Sequence, residues 1–151
     1  GYAAGPKPIM SAMANLQSQS TSNPCSISQK AAVAALSQPS QETVKMLGEF
    51  ERRRTYLLKR LKRIKGITCV PPLGAFYAFP KVSAYFGKTW KDRTIQNSQD
   101  LANYLLEEAG VAVVAGDSFG ADEYIRLSYA ASMKRIRKGL DLMQEALTKL
   151  Q

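Results

Sequence analysis

The chain contains no histidine. Without an imidazole, Ser-His and Cys-His nucleophilic catalysis, His-ligated zinc and any His-based proton shuttle are excluded. Cysteine is nearly as scarce. Cys25 and Cys69 stand far apart with no C-x-x-C spacing, which predicts two free thiols and gives no support to a disulfide framework or a zinc site. No apolar run approaches the roughly 20 residues that a membrane-spanning helix needs, and no charged-then-apolar leader opens the sequence. The expectations are a cytoplasmic setting and no membrane partner. Acidic residues are also in short supply, 12 against 21 lysines and arginines, for a net charge of +9. No pair of them has a spacing that commends it for general acid-base work, and no metal site is expected.

The excess of basic residues raises nucleic acid or another anion as a partner. Nine of the 21 fall between Lys45 and Lys65, where Leu47, Phe50, Leu57, Leu58, Leu61 and Ile64 recur at helical spacing. Lys45, Arg52, Lys59 and Arg63 line the opposite side of the same helix. A charged outer face is the ordinary complement of an apolar stripe, so a solvated helix face is favoured and no nucleic-acid partner is expected. The alternative is a basic, non-catalytic module that binds nucleic acid or another anion.

What is present describes an α/β chain. At 151 residues there is room for one domain, or for a compact domain with a piece of another. "GYAAGPK" opens on a short apolar stretch that reads as a strand entering a turn. A strand without neighbours leaves its backbone unsatisfied, so the expectation is a chain cut from something longer. Residues 7–16 read as a short helix running into the polar stretch "QSQSTSNPCS". Ser26 with Gln29 suggests a capping box for a helix to about Leu36, broken by "SQPSQE" near Pro39.

A long helix is predicted from about Gln41 to Lys65, stopping at Gly66. "ITCV" and "GAFYAFP" read as strands, 82–96 as a polar loop, and Asn97 or Ser98 as the cap of a helix closed by Gly110. "VAVVA" reads as a buried strand, "GDSFGAD" as a turn, "EYIRLSYA" as a strand, and Ser132 as the cap of the final helix. From residue 41 the order is helix, strand, strand, helix, strand, strand, helix, which describes helices covering a small sheet. Residues 1–40 do not fit inside that unit and are assigned to a second, incomplete one.

Arg126 is the conspicuous residue. In "EYIRLSYAAS" the residues Ile125, Leu127, Tyr129 and Ala131 alternate along one face, and Arg126 shares the other with Tyr124, Ser128 and Ala130. Its planar fork can grip a carboxylate through two parallel hydrogen bonds. Taken alone, such an arginine is more often an internal ion pair or a cation at the sheet edge. "AGDSFG" matches neither phosphate-binding glycine motif and reads as a tight turn.

Taken in order, "GYAAGPK", "QSTSNPCSISQ", "PLGAFYAFP", "VAVVAGDSFG" and "YIRLSYA" resemble the C-terminal part of the class I pyridoxal-phosphate aminotransferases. The likeness is to the bacterial branch holding the aspartate and prephenate enzymes. The resemblance implies an α/β fold of fold type I, with residues 1–40 as the end of the large cofactor-binding domain. Residues 41–151 would then be the connecting helix and the small domain. It implies a transaminase using pyridoxal 5'-phosphate, with aspartate and 2-oxoglutarate as substrates, and a homodimer.

On this resemblance Arg126 matches the arginine that holds the substrate α-carboxylate. Ser20, Thr21 and Ser22 match a loop near the cofactor phosphate across the dimer interface. Ser18 stands where the animal-type aspartate enzymes carry an arginine for the distal carboxylate, and Ala115 where proline is common. The family's Schiff-base lysine, its phosphate-binding arginine and the aspartate under the pyridine nitrogen precede the segment matching "GYAAGPK". None of the lysines here has the required context, so no catalytic residue is assigned and this chain alone is expected to be inactive. Lyases and synthases of the same fold stay open on these residues.

Overall fold

The computed structural model describes residues 1–37 and 40–151, and the break expected near Pro39 lies outside them. The chain divides into two compact units, Gly1–Val44 and Lys45–Gln151.

The first unit holds α1 (Lys7–Ser20) and α2 (Ser26–Ser37). The "GYAAGP" stretch is not a strand. It has no regular structure and leads to Pro6, whose fixed φ suits a helix entrance. α1 runs four residues past the expected end, because Gln17 to Ser20 are compatible with a helix and the stop comes at Thr21 and Ser22. Ser22 has φ 63°, outside the right-handed region. The expected capping box of α2 is also not formed. Ser26 is the first helical residue, the Gln29 backbone amide donates to the Cys25 carbonyl at 3.0 Å, and the Gln29 side-chain amide donates to the Pro24 carbonyl at 2.9 Å. Neither helix buries a single residue within the chain.

The second unit is built on α3 (Gln41–Leu61, whose first turn belongs to the first unit), α4 (Ser98–Ala109) and α5 (Met133–Lys149). They surround an antiparallel sheet of β1 (Tyr77–Ala78), β4 (Val114–Ala115) and β5 (Ile125–Ser128), in the order β1-β5-β4. Long helices follow their apolar period. Leu57 and Leu61 of α3, Leu101 and Leu105 of α4, and Ile136, Leu140, Met143 and Leu147 of α5 are buried with Ala78, Ile125, Leu127 and Tyr129. The caps are as expected. The Asn97 side chain accepts from the Asp100 amide at 2.8 Å, Ser132 accepts from the Arg135 amide at 3.3 Å, and Gly110 closes α4 at φ 62°.

The strands are shorter than their sequence suggests. "ITCV" contributes one bridge, Thr68 to Lys81. Of "VAVVA" only Val114 and Ala115 pair, and Val114 is exposed, so it is not a buried strand throughout. The supposed loop 82–96 contains a hairpin of β2 (Thr89–Trp90) and β3 (Arg93–Thr94), where Trp90 packs edge-on against Tyr104 with centroids 5.1 Å apart. α3 ends four residues early. The chain turns through Ile64 to Gly66, at φ 83°. Leu47, placed on the apolar stripe, is exposed.

Candidate functional site

β5 is the central strand, and its alternation sorts Arg126 onto the face opposite Ile125 and Leu127. Arg126 is half-buried and lies opposite Val114 on β4. On β1, Tyr77 pairs with Ser128, which makes it a diagonal neighbour of Arg126 on the same face. The guanidinium Cζ lies 4.4 Å from the Tyr77 ring centroid and 4.5 Å from that of Phe119. Tyr77 and Phe119 make no ring contact with each other among the described residues. Each such contact is worth about 0.5–2 kcal/mol, depending on exposure. Among the described residues Arg126 has no ion pair and no hydrogen bond. The internal ion pair, one of the two bland readings of this arginine, is thereby removed.

The turn that supplies Phe119 is tightly held. Residues Gly116–Phe119 form a 3-10 turn ended by Gly120 at φ 69°. A side chain at Gly116 would meet the Ala121 carbonyl at 2.1 Å and the Tyr124 carbonyl at 2.3 Å, so only glycine fits. Ser98 fastens the turn to α4. Its amide and hydroxyl donate to Asp122 Oδ1 at 2.9 and 2.6 Å, and its Oγ accepts from the Asp117 amide at 3.2 Å. These donors hold the Asp122 carboxyl below the usual carboxylate range, the hydroxyl contributing most. Further along, Phe79 stacks on Tyr124 at 5.1 Å and meets Phe119 edge-on at 6.0 Å. The result is an arginine set in an aromatic floor, with unpaired N–H donors.

Sequence reading identified Arg126 but missed the two rings. Their signal was present as an aromatic residue in "GAFYAFP" and another in "GDSFG", yet nothing local brings them to one guanidinium. Ser20, Thr21 and Ser22 belong to the other unit. All three are exposed at the end of α1, and among the described residues their hydroxyls have no hydrogen-bond partner. The Ser18 hydroxyl donates to the Asn15 carbonyl at 2.7 Å.

The basic face of α3 is partly neutralised from within. Arg52 and Arg53 both bond Glu49 and hold its carboxyl at about 2. Arg54 donates to the Pro72 carbonyl, and Arg60 bonds Asp141 at 2.6 Å and the Tyr56 hydroxyl. Both cysteines are free thiols. Among the described residues no group of side chains could hold a metal, and no helix is long and apolar enough to cross a membrane.

Residues 1–141 match the family of aminotransferases of class I and II. The chain belongs to this family. It is 48% identical over 147 residues to a probable aspartate/prephenate aminotransferase of Rickettsia bellii, covering 97% of this chain and 37% of that protein. It is 45% identical to the aspartate/prephenate aminotransferase of Cereibacter sphaeroides, over 95% of this chain and 36% of the relative. The crystal structure of an aspartate aminotransferase from Rhizobium meliloti superimposes with a TM-score of 0.95 at 41% identity, over 100% of this chain and 38% of that one. This aminotransferase chain therefore spans little more than a third of the length of the relatives it matches. The α/β architecture is that of the class, and the class depends on pyridoxal phosphate.

Proposed function

We propose that these residues form the C-terminal part of a pyridoxal-phosphate transaminase that moves an amino group between aspartate and 2-oxoglutarate. In this reading residues 1–40 end the large domain and residues 41–151 supply the connecting helix and small domain. The observation that carries the reading is Arg126, flanked by two rings and left with free donors. Its fork takes the substrate α-carboxylate and fixes the amino acid on a rigid strand, so that the bond to be broken at the α-carbon is oriented before reaction. The cofactor, when bound, supplies the electron sink for that bond.

Ser20, Thr21 and Ser22 offer three unpaired hydroxyls at an exposed helix end, a donor set suited to phosphate oxygens. They are assigned to the cofactor phosphate of the neighbouring subunit in a homodimer. The protein is placed in the cytoplasm, with amino acids and 2-oxo acids as its partners and no nucleic acid. No lysine here is assigned to the cofactor, so the 151 residues alone are inactive.

The test is a coupled assay with L-aspartate and 2-oxoglutarate. The full-length holoenzyme turns over this pair, while the 151-residue chain shows neither turnover nor cofactor absorbance. A full-length enzyme that handles neither substrate, or a fragment that transaminates, contradicts the proposal.

A further inference from the structure

The "GDSFG" turn and the tyrosine of "GAFYAFP" each bring one ring to the Arg126 guanidinium. We infer that Phe119 and Tyr77 are positioning residues for Arg126, and that the turn is built to deliver Phe119 to it. The inference rests on the assignment of Arg126 to the α-carboxylate.

An arginine side chain has several rotatable bonds, and immobilising it on binding costs conformational entropy. Here no carboxylate or carbonyl of the chain holds the guanidinium, since it has no hydrogen bond or ion pair among the described residues. Two ring faces do that instead, at 4.4 and 4.5 Å. Aromatic faces attract the cation without occupying its N–H groups. The fork is therefore fixed in advance while its donors remain open to an incoming carboxylate. A carboxylate partner would have fixed the fork just as well, but it would have competed with substrate.

The supports of both rings are specific. Tyr77 is set by the pairing of β1 with β5, opposite Ser128. Phe119 sits on the turn locked by Gly116, which admits no side chain, and by the Ser98 and Asp122 bonds. Phe79 meets Phe119 at 85° and stacks on Tyr124, which holds the Phe119 ring from its other neighbours. Phe119 itself is nearly half exposed, so its ring is not needed to fill the core.

The experiment uses the full-length holoenzyme with leucine and ring-retaining variants at both positions. Phe119→Leu and Tyr77→Leu each raise KM for L-aspartate about tenfold, while kcat, cofactor absorbance and melting temperature stay close to the parent. Phe119→Tyr and Tyr77→Phe keep KM within about threefold of the parent. Leucine variants with parental KM would overturn the inference, and so would ring-retaining variants as impaired as the leucine ones. Arg126→Lys is measured alongside. If it too leaves KM and kcat unchanged, the carboxylate assignment itself fails; if it is impaired while the leucine variants are not, only the positioning role fails. In the 151-residue chain, the Arg126 Nε–H proton resonates upfield of ordinary arginines through the two ring currents and moves downfield in either leucine variant; an unshifted resonance in the parent also overturns the inference.

Discussion

Ser98 is the one polar residue buried in the interior among the described residues, and it spends its hydrogen bonds on the Asp122 carboxylate and the Asp117 amide. Burial is tolerated because every polar atom of the side chain is satisfied. The same bonds make Asp122 a pH-dependent contributor to stability. Its carboxyl lies below the usual range in the folded chain, so the stability it contributes is fully present above its unfolded pKa of about 3.9 and is lost as pH falls through the folded value. Melting curves between pH 3 and 7 should therefore fall more steeply at the acid end for the parent than for Asp122→Asn, which has no carboxylate to protonate. Parallel curves would show that the Ser98 bonds contribute nothing to this dependence.

At the scale of elements, Gly116 is the position where the backbone alone dictates the residue. Gly116→Ala places a methyl within van der Waals overlap of two carbonyls. The expected loss is about 3 kcal/mol, from the general cost of overpacking, read as a drop in denaturant midpoint. A midpoint unchanged within error would mean the turn can relax freely.

The helices and the caps of α4 and α5 were legible because each has a local cause, whereas the box expected at Ser26 is not formed and α3 stops at Leu61, short of Gly66. An apolar period of 3.6 identified α3, α4 and α5, Asn97 and Gly110 marked the two ends of α4, and Ser132 marked the start of α5. Strands were less legible. "VAVVA" is apolar throughout, and such a run carries no information about which residues find a partner. Only the register with β5 decides that, and it selects Val114 and Ala115. The site divides the same way. A charge in an alternating strand announces Arg126, whereas the Tyr77 and Phe119 contacts depend on strand pairing and on a turn folded against a distant helix.

Across the whole molecule the two units differ in how their apolar surface is treated. Lys45–Gln151 buries a continuous core, whereas Ile9, Leu16, Ile27, Val33 and Leu36 of the first unit are exposed. A helix without a buried face has little beyond its own marginal propensity to hold it. In the 151-residue chain, hydrogen exchange should be fast along α1 and α2 and slow in α4, α5 and β5. Uniform protection would show that the first unit is held by more than its own contacts.

The central claim is that Arg126 binds the substrate carboxylate and leaves the cofactor to other residues. It is tested most directly by Arg126→Lys in the full-length holoenzyme, measuring kcat/KM for L-aspartate beside the affinity for pyridoxal phosphate. A lysine keeps the charge but loses the fork. A charge-assisted bond is worth about 1.5–3 kcal/mol, so kcat/KM should fall at least about tenfold while cofactor affinity stays within about twofold. An unchanged kcat/KM, or a loss of cofactor affinity as large as the loss of kcat/KM, would contradict the account.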